Sequence, residues 1–500
     1  MRHTLLTIIL MAAYATLCAK DVTTTFTPDS TRVLRNPLNG WVMYMGRTWD
    51  ENFWTECGYD QMSVGDSTVR VSDYANTCYV RTSWSSLEPV EGQYVWQNPE
   101  SRISKLFRSV LDRRMKLAFR IVVDSRDQGQ NTPLYVKEAG AQGFQDPNNP
   151  AIWSPYPEDP VFQQKYEKFI TALAAAFNDP DKVDFIDAYG LGKWGEAHGV
   201  KYGDYRKKEE VFNWITTVYT KTFTKIPLVI NYHRLVGDTI SWAPAHERSQ
   251  VLLEDAIRKG YSLRHDAFGM TGYYEQWEKD FAKKWNYRRP IILEGGWITG
   301  AHHRYWRDPS GRYREGHPED VRQGEYDDAR EGHVNMMDLR INDETRSWFE
   351  TSFHLVKQFV AEGGYRLYPS RVTAPDRLPH DGMITLTSVW NNMGWGYCPT
   401  NIPQWNQKYK VAYALLQNGK VRRVFVDQNS DLSTWLYGHP TTSTVTVKVE
   451  GLPKGNYQWA VALVDVTKGN RPALEIAVDD HLLQNGWLLG VSMKHKQNTK

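Results

Sequence analysis

Two glutamates stand at comparable places in the chain, each close behind or within an apolar, strand-like run. Glu196 lies in "GLGKWGEAHG" (190–199), which follows "VDFIDAYG" (183–190), and Glu294 lies in "RPIILEGGW" (289–297). Two carboxylates that face one pocket can cleave a glycosidic bond, because one can act as a proton donor while the other acts as a nucleophile or a base. Glycines beside both glutamates leave space for a ligand. We therefore predict that Glu196 and Glu294 form a catalytic pair.

Side chains suited to binding a sugar stand at or near several predicted strand ends. Sugar rings stack on aromatic faces, and their hydroxyl groups need a mixed set of hydrogen-bond donors and acceptors. The candidate substrate-binding residues are Arg81, Trp84, Asp124, Trp194, His198, Asn231, His233, Tyr273 and Trp297. Each has a structural alternative, since a polar residue can cap a helix or form an ion pair and an aromatic residue can fill the core. Asp187, which lies inside an apolar run, is interpreted as structural.

The elements that must position these residues alternate between strand and helix from about residue 30 to 360. Such alternation predicts a parallel sheet, and eight units close a (β/α)8 TIM barrel whose site lies at the C-terminal ends of the strands. The predicted strands are 40–46, 77–84, 115–125, 183–190, 226–233, 267–274, 289–297 and 333–339. The predicted helices are 102–114, 160–177, 207–223, 248–260, 275–285 and 346–364. Residues 298–333 are expected to form a long irregular loop after the seventh strand.

The pattern changes at about residue 365 to short strands separated by turn residues, which predicts an all-β sandwich. We therefore divide the chain into a signal peptide (1–19), a barrel domain (20–362) and a C-terminal sandwich (363–500). The sandwich could bind glycan or only buttress the barrel. The second role is favoured, because no obvious aromatic platform stands out there.

Composition and charge exclude several classes of partner. The formal net charge is +2 over 60 basic and 58 acidic residues, without a basic block, which argues against nucleic acid. No apolar run long enough to span a membrane follows the N-terminus. The four histidines of 298–333 lack the spacing of a ligand motif, and we expect neither a metal nor a cofactor. Cys57 and Cys78 could form a disulfide in an oxidising compartment, but their spacing does not decide this.

The first residues, "MRHTLLTIILMAAYATLCAKD", have the composition of a secretory signal peptide. Arg2 and His3 precede a short apolar run that ends in small residues, which is too short for a membrane anchor. We expect cleavage after Ala19 and export to the periplasm or the extracellular space. Lipid attachment at Cys18 is an alternative, although Leu17 fits a lipoprotein signal poorly.

The most specific stretch of the chain is "YVRTSWSSLEPVEGQYVWQNPE" (79–100). It resembles the second-strand signature of clan A glycoside hydrolases, particularly their β-galactosidase-like families. The chain from 30 to 490 also resembles a group of secreted bacterial proteins known only as domains of unknown function, with "LRNPLNGW" (34–41) and a G-x-WGE-x-H motif. The resemblance implies an acid/base glutamate after strand four, at Glu196, and a nucleophile after strand seven, at Glu294. The clan usually has asparagine directly before the acid/base, where this chain has Gly195.

These observations together predict an exported glycoside hydrolase that acts on a plant, algal or host glycan with retention of configuration. Two alternatives stay open. One is an inverting enzyme, and the other is a non-catalytic glycan-binding protein on a glycosidase-like barrel. The sugar, the linkage, the anomer and the oligomeric state are not determined by the sequence.

Overall fold

The computed structural model describes residues 19–45, 50–126, 129–232, 247–268, 274–299, 311, 313–314 and 316–495. Its centre is a closed barrel of eight strands that follow one another in chain order. Every neighbouring pair is parallel, including the last strand with the first. The strands are β1 (Gly40–Tyr44), β2 (Ala75–Ser83), β3 (Lys116–Val122), β4 (Val183–Asp187), β5 (Leu228–Asn231), β6 (Tyr261–Phe268), β7 (Ile291–Gly295) and β8 (Met336–Asp338). The predicted TIM barrel is thus confirmed.

Helices cover the outside of the barrel and bury their apolar sides against the strands. The longer ones are α1 (Arg102–Asp112), α2 (Pro160–Phe177), α3 (Lys208–Thr222), α4 (Glu247–Arg258), α5 (Gln276–Trp285), α6 (Pro318–Glu331), α7 (Asp343–Glu350) and α8 (Phe353–Glu362). Short helices lie at Phe53–Glu56, Trp84–Leu87 and Leu134–Glu138, and single 3-10 turns at Val71–Asp73, Val95–Gln97 and Tyr205–Lys207. Two small hairpins pair Met62–Val64 with Ser67–Val69 and Gly143–Gln145 with Trp153–Pro155.

Three sequence predictions for the barrel were wrong in detail. The sixth strand is Tyr261–Phe268, so the predicted strand 267–274 begins six residues too late, and its residues 269–273 lie outside the described residues. The charged residues of this strand lie inside the barrel and hide the apolar pattern of a strand. The stretch 298–333 contains a regular helix, α6, which begins with a proline at its first position. The predicted helix 346–364 is divided into α7 and α8.

The C-terminal region is all-β, as predicted, and consists of two antiparallel sheets. Its strands are β9 (Leu367–Pro375), β10 (Met383–Asn392), β11 (Tyr409–Gln417), β12 (Lys420–Val426), β13 (Thr441–Lys448), β14 (Gly455–Asp465), β15 (Arg471–Leu474), β16 (Leu483–Gln484) and β17 (Trp487–His495). Strands β9, β10 and β13 form one sheet, and the others form the second. Short 3-10 turns lie at Leu432–Thr434, Val466–Lys468 and Asp480–Leu482.

The N-terminal strand Asp21–Thr25 pairs with β9 and completes the first of these sheets. The sequence-based domain boundaries, by contrast, place this segment in the barrel domain (20–362). The strand is only five residues long and alternates between half-buried and exposed side chains, as an edge strand does. A local pattern of this kind does not reveal which sheet the strand will join.

The C-terminal region closes the end of the barrel that lies opposite the C-terminal ends of its strands. One apolar cluster contains both side chains from inside the barrel, such as Val42 and Phe185, and the core of the two sheets. The Tyr365 hydroxyl donates to the carbonyl of Pro37 at 2.6 Å, and Lys468 binds Asp181, just before β4, at 2.5 Å. These contacts support the predicted buttressing role.

The structure also bears on the predictions for the cysteines and for membrane-spanning segments. Cys57, Cys78 and Cys398 are all free thiols, so Cys57 and Cys78 are not paired in this structure. Cys18 and the rest of the predicted signal peptide through residue 18 lie outside the described residues. In the part of the chain that the structure describes, we find no helix long and apolar enough to cross a membrane.

Gly190 lies in the turn after β4, where a larger side chain would meet neighbouring atoms. Its φ is +74°, and a Cβ there would overlap the carbonyl oxygen of Ile121 and approach the Tyr166 hydroxyl. Gly92 has a similar φ of +77° with nothing within 4 Å of its Cβ position. We expect Gly190→Ala to lower the free energy of unfolding by about 2–5 kcal/mol, and Gly92→Ala by only about 1–2 kcal/mol, in urea titrations. Equal losses would show that the close contact at Gly190 is unimportant.

Candidate active site

The barrel interior holds a cluster of charged side chains that extends to the C-terminal ends of the strands. We call it the charged cluster. Its members are Arg81, Arg120, Asp187, Glu196, His198, Arg264, Asp266, Glu294, Asp338 and Arg340. All except Arg81, which is 20% exposed, are buried. Charges that leave water need compensating partners, so the pairing inside this cluster decides how it is held together.

Arg120, on β3, connects both predicted catalytic glutamates. Its Nη1 binds Glu196 Oε1, and its Nη2 lies 3.2 Å from Glu294 Oε2. Its Nε also donates to Asp187, on β4, at 2.8 Å. The two glutamates come from the β4 loop and from β7, and the barrel brings them to neighbouring nitrogens of one guanidinium group.

Further arginines bind the same two carboxylates from other strands. Arg264, on β6, and Arg340, just after β8, both form ion pairs with Glu294. Arg81, on β2, lies 3.3 Å from Glu196. Three guanidinium groups therefore bind Glu294 and two bind Glu196, and the exposed fractions of these glutamates are 0% and 4%.

The loop that carries Glu196 has an unusual backbone. Trp194 and Ala197 have φ values of +59° and +61°, and Gly190, Gly192 and Gly195 are also in the left-handed region. Positive φ at residues other than glycine costs energy and often marks a functional site. Backbone hydrogen bonds within the loop fix it, including Glu196 N to Lys193 O at 3.0 Å and Ala197 N to Leu191 O at 2.9 Å.

His198 lies between two carboxylates. Its Nε2 is 3.5 Å from Glu196 Oε2 and 3.5 Å from Asp266 Oδ2. Burial lowers the pKa of His198, but hydrogen bonds with Asp266 and Glu196 outweigh burial and raise this pKa to about 9. Burial raises the pKa of Asp266, but His198 and then Arg340 together hold it well below its usual range. His198 is therefore a cation at neutral pH.

The same three residues, Glu196, His198 and Asp266, lie close enough to hold a metal ion, with ligand atoms within 4.8 Å of one another. The neighbouring charges oppose this role. A protonated imidazole has no free lone pair for a metal, and Glu196 is already bound by Arg81 and Arg120. The site fits an ion-pair network better than a metal centre, and the expected absence of a metal stays a prediction.

A second buried ion-pair group fixes the loop that follows Glu294. Arg322, on α6, lies 2.5 Å from Glu325 and 2.6 Å from Glu344. Glu325 accepts a hydrogen bond from the backbone of Gly296 at 3.2 Å, and Glu344 accepts from the backbone of Ile298 at 2.9 Å. Burial raises the pKa of Glu325 to about 7, despite Arg322. We call Arg322, Glu325 and Glu344 the loop clamp.

Four predicted binding residues join the two glutamates at the site or lie beside it. Arg81 and His198 belong to the charged cluster, and Trp194 contacts His198 edge-on with ring centroids 5.4 Å apart. Trp297 is 36% exposed, and the Arg340 guanidinium lies 4.8 Å from its ring centroid. These placements agree with the prediction but do not test a binding role.

The remaining predicted residues are placed differently or are not described. Asn231 is buried at the C-terminal end of β5. Asp124 forms an ion pair with Arg126 and lines a small pocket with Phe144 and Gly192. His233 and Tyr273 lie outside the described residues.

Trp84 is not at the site. It is fully buried, its ring packs against Tyr135, Phe162, Tyr166 and Phe169, and it has no free face for a sugar. Its Nε1 donates to Glu88 at 2.8 Å, and Glu88 also accepts from the backbone of Gly92 at 2.7 Å. The "W-x-x-LEP-x-EG" part of the resemblance therefore stabilises the loop after β2, and Arg81 alone of these residues reaches the glutamates.

The sequence analysis did not identify three buried arginines and two buried aspartates of the site. They are Arg120, Arg264, Asp266, Asp338 and Arg340. A signal was present, because the first three interrupt otherwise apolar runs in "LAFRIVV" and "YSLRHDAF". Charged residues inside a predicted barrel strand have to face other charges.

Comparisons with known proteins show little sequence similarity. No protein-family model matches the chain, and no curated protein matches it. Among solved structures, it is similar to endo-glycoceramidase II from Rhodococcus sp. (14% identity, TM-score 0.37, 86% of this chain and 100% of that chain). It is also similar to the endo-beta-1,4-mannanase from Thermotoga petrophila (9% identity, TM-score 0.39, 93% and 99%) and to a glycoside hydrolase family 5 enzyme from Prevotella bryantii B14 (11% identity, TM-score 0.36, 67% and 99%).

The strand topology defines the chain as a TIM-barrel protein with a C-terminal all-β region. Similarity at these identities and TM-scores adds nothing about activity or substrate. The function is therefore inferred from the side chains of the site.

The raised pKa of His198 predicts a pH dependence of stability. A group whose pKa rises on folding contributes stability that is present below its unfolded pKa of about 6.5 and is lost as the pH rises through about 9. We expect His198→Gln to be destabilising at about pH 6, by up to about 3 kcal/mol more than at about pH 9.5. The measurement is chemical unfolding at both pH values. The exposed His439→Gln serves as the control, and a pH-independent difference for His198→Gln would contradict the prediction.

The loop clamp predicts a large loss of stability when its cation is removed. Arg322→Met leaves two buried carboxylates with backbone hydrogen bonds but without their cation, and we expect the free energy of unfolding to fall by about 3–5 kcal/mol. Adding Glu325→Gln and Glu344→Gln should restore part of this loss. Arg346→Met, which breaks a surface pair with Glu350, should cost less than about 1 kcal/mol. Equal losses in the two single variants, measured by guanidinium titration, would refute the clamp.

Proposed function

We propose that the protein is a glycoside hydrolase in which Glu196 is the general acid/base and Glu294 is the nucleophile. One observation carries this proposal. The two glutamates, from the β4 loop and from β7, bind adjacent nitrogens of the same guanidinium group, that of Arg120. A shared guanidinium group keeps the two carboxylates near each other, which supports the retaining mechanism, in which they stand only about 5–5.5 Å apart.

The reaction would proceed by double displacement. Glu294 attacks the anomeric carbon while Glu196 gives its proton to the leaving glycosidic oxygen, and a glycosyl ester forms on Glu294. Glu196, now ionised, takes a proton from a water that attacks the same carbon and releases Glu294. His198 keeps Glu196 oriented, and Trp297 offers an exposed face on which a sugar ring can stack.

Non-catalytic glycan binding is the second candidate, and a specific observation favours it. Glu294 is completely buried and bound by three guanidinium groups, which is also how a purely structural ion pair is built. An inverting mechanism has no comparable observation in its favour. Export, which fits either function, follows from the N-terminal sequence alone and belongs to the proposal.

Chemical rescue separates the candidates. We expect Glu196→Ala and Glu294→Ala each to lower turnover of a glycan substrate by about 10²- to 10⁴-fold or more. With an activated aryl glycoside and azide, the two variants should give glycosyl azides of opposite anomeric configuration, because azide replaces a different carboxylate in each. Glu91→Gln, in a partly exposed pair with Lys165, is the control. A protein that binds glycan but turns over no substrate, with or without azide, would be the non-catalytic one.

A further inference from the structure

We infer that the glycan recognised at this site carries a negative charge, as a uronic acid carboxylate or a sulfate ester, and that Arg81 and Arg340 bind this group. The inference deepens the proposed function by naming its substrate class. The subsite itself rests on that function only for the glycan nature of the ligand, and the arguments from Glu196 and Glu294 below also rest on the proposed mechanism.

The proposed subsite lies around Tyr44, at the end of β1. The guanidinium carbons of Arg81 and Arg340 lie 5.7 and 5.3 Å from the centroid of its ring. Tyr44 is 5% exposed, and its hydroxyl oxygen is buried without a hydrogen-bond partner among the described residues. A buried hydroxyl normally has a partner, so this oxygen and the two cations together define a place where a polar group is missing.

Arg81 and Arg340, which both lie beside the Tyr44 ring, each share their carboxylate with other arginines. Arg81 shares Glu196 with Arg120, and Arg340 shares Glu294 with Arg120 and Arg264. Burial lowers the pKa of Arg340, Tyr44, Asp266 and Glu196 oppose this change, and Arg81 adds a smaller lowering. A substrate anion between the two arginines would relieve their repulsion and give each a charge-assisted hydrogen bond.

The overall charge of the cluster points the same way. Its four arginines and protonated His198 face five carboxylates, and burial raises the pKa of one of these, Asp338, to about 7. The cluster therefore carries between zero and one surplus positive charge near neutral pH. If Glu196 begins the reaction protonated, as the proposed mechanism requires, a further positive charge is left without a counterion.

An anionic ligand would also explain how Glu294 becomes available. In the free protein Arg340 is one of three arginines paired with Glu294, and the loss of one pair would leave the carboxylate freer to attack. Trp297, below the Arg340 guanidinium, can support a sugar ring whose acidic group then lies beside Arg340. Binding of that group draws Arg340 away from Glu294, whereas a neutral sugar leaves the pair closed. Recognition of the acidic group would thus precede attack.

The test measures binding of the full protein to three matched sets of oligosaccharides by calorimetry or on an array. One set contains uronic acids, the second contains the same sugars after carboxyl reduction, and the third contains O-sulfated versions of the neutral sugars. We expect binding in the first or third set, which identifies carboxylate or sulfate, at least about tenfold tighter than in the neutral set and weakened by salt. Equal or preferred binding of neutral sugars, or no binding in any set, would overturn the inference.

Substitutions of Arg81 and Arg340 show whether these two residues bind the acidic group. Arg81→Gln and Arg340→Gln should each reduce affinity for the acidic glycan at least about tenfold without a matching loss for neutral sugars, whereas the exposed Arg423→Gln should change neither. Arg81 is partly exposed, so its variant keeps the test valid if Arg340→Gln does not fold. Full affinity in folded Arg81→Gln would refute the assignment.

The outcomes also separate this inference from the proposed function. Acidic glycan that is bound through Arg81 but never cleaved would refute the hydrolase and keep the subsite. Cleavage that depends on both glutamates but is indifferent to the acidic group would do the reverse.

Discussion

The rest of the site depends on the ion pairs that the Arg120 guanidinium group forms. It binds Asp187, Glu196 and Glu294, which come from β4, the β4 loop and β7. An isolated charge in the barrel interior would be very costly, so this arginine and its three carboxylates stabilise one another only in the closed barrel. Arg81, Arg264 and Arg340 add further ion pairs to the same carboxylates. The ion pairs with Arg120 therefore hold the two glutamates together and also make buried charge tolerable inside the barrel.

The two ends of the barrel are built from opposite kinds of side chain. At the N-terminal ends of the strands, apolar residues of the barrel continue into the core of the C-terminal sheets, and Asp184 is satisfied locally by Thr77 at 2.7 Å and by the backbone of Leu38 at 2.8 Å. Toward the C-terminal ends, the barrel interior holds the charged cluster. The apolar end supplies stability, and the charged end can therefore be organised around a ligand.

Rigid supports surround this charged end. The loop clamp of Arg322, Glu325 and Glu344 fixes the segment after Glu294, and the left-handed backbone at Trp194 and Ala197 fixes the segment that carries Glu196. Both devices cost energy locally, through buried charge or an unfavourable φ. Energetically unfavourable features of this kind occur mainly where a protein must hold functional side chains in place, which is consistent with a functional role for both glutamates.

The sequence by itself determined the order of the barrel strands, the all-β character of the C-terminal region and the position of Glu196 and Glu294 at one end of the barrel. It could do so because strand periodicity and chain order are local properties, and a parallel barrel places all strand ends of one kind together. Only the tertiary structure decided that Trp84 belongs to the core, that Asp21–Thr25 joins the C-terminal sheet, and that four arginines surround the glutamates. Those facts depend on which side chains meet across the barrel, and partners that lie from 30 to more than 340 residues apart leave no periodic signal in the chain.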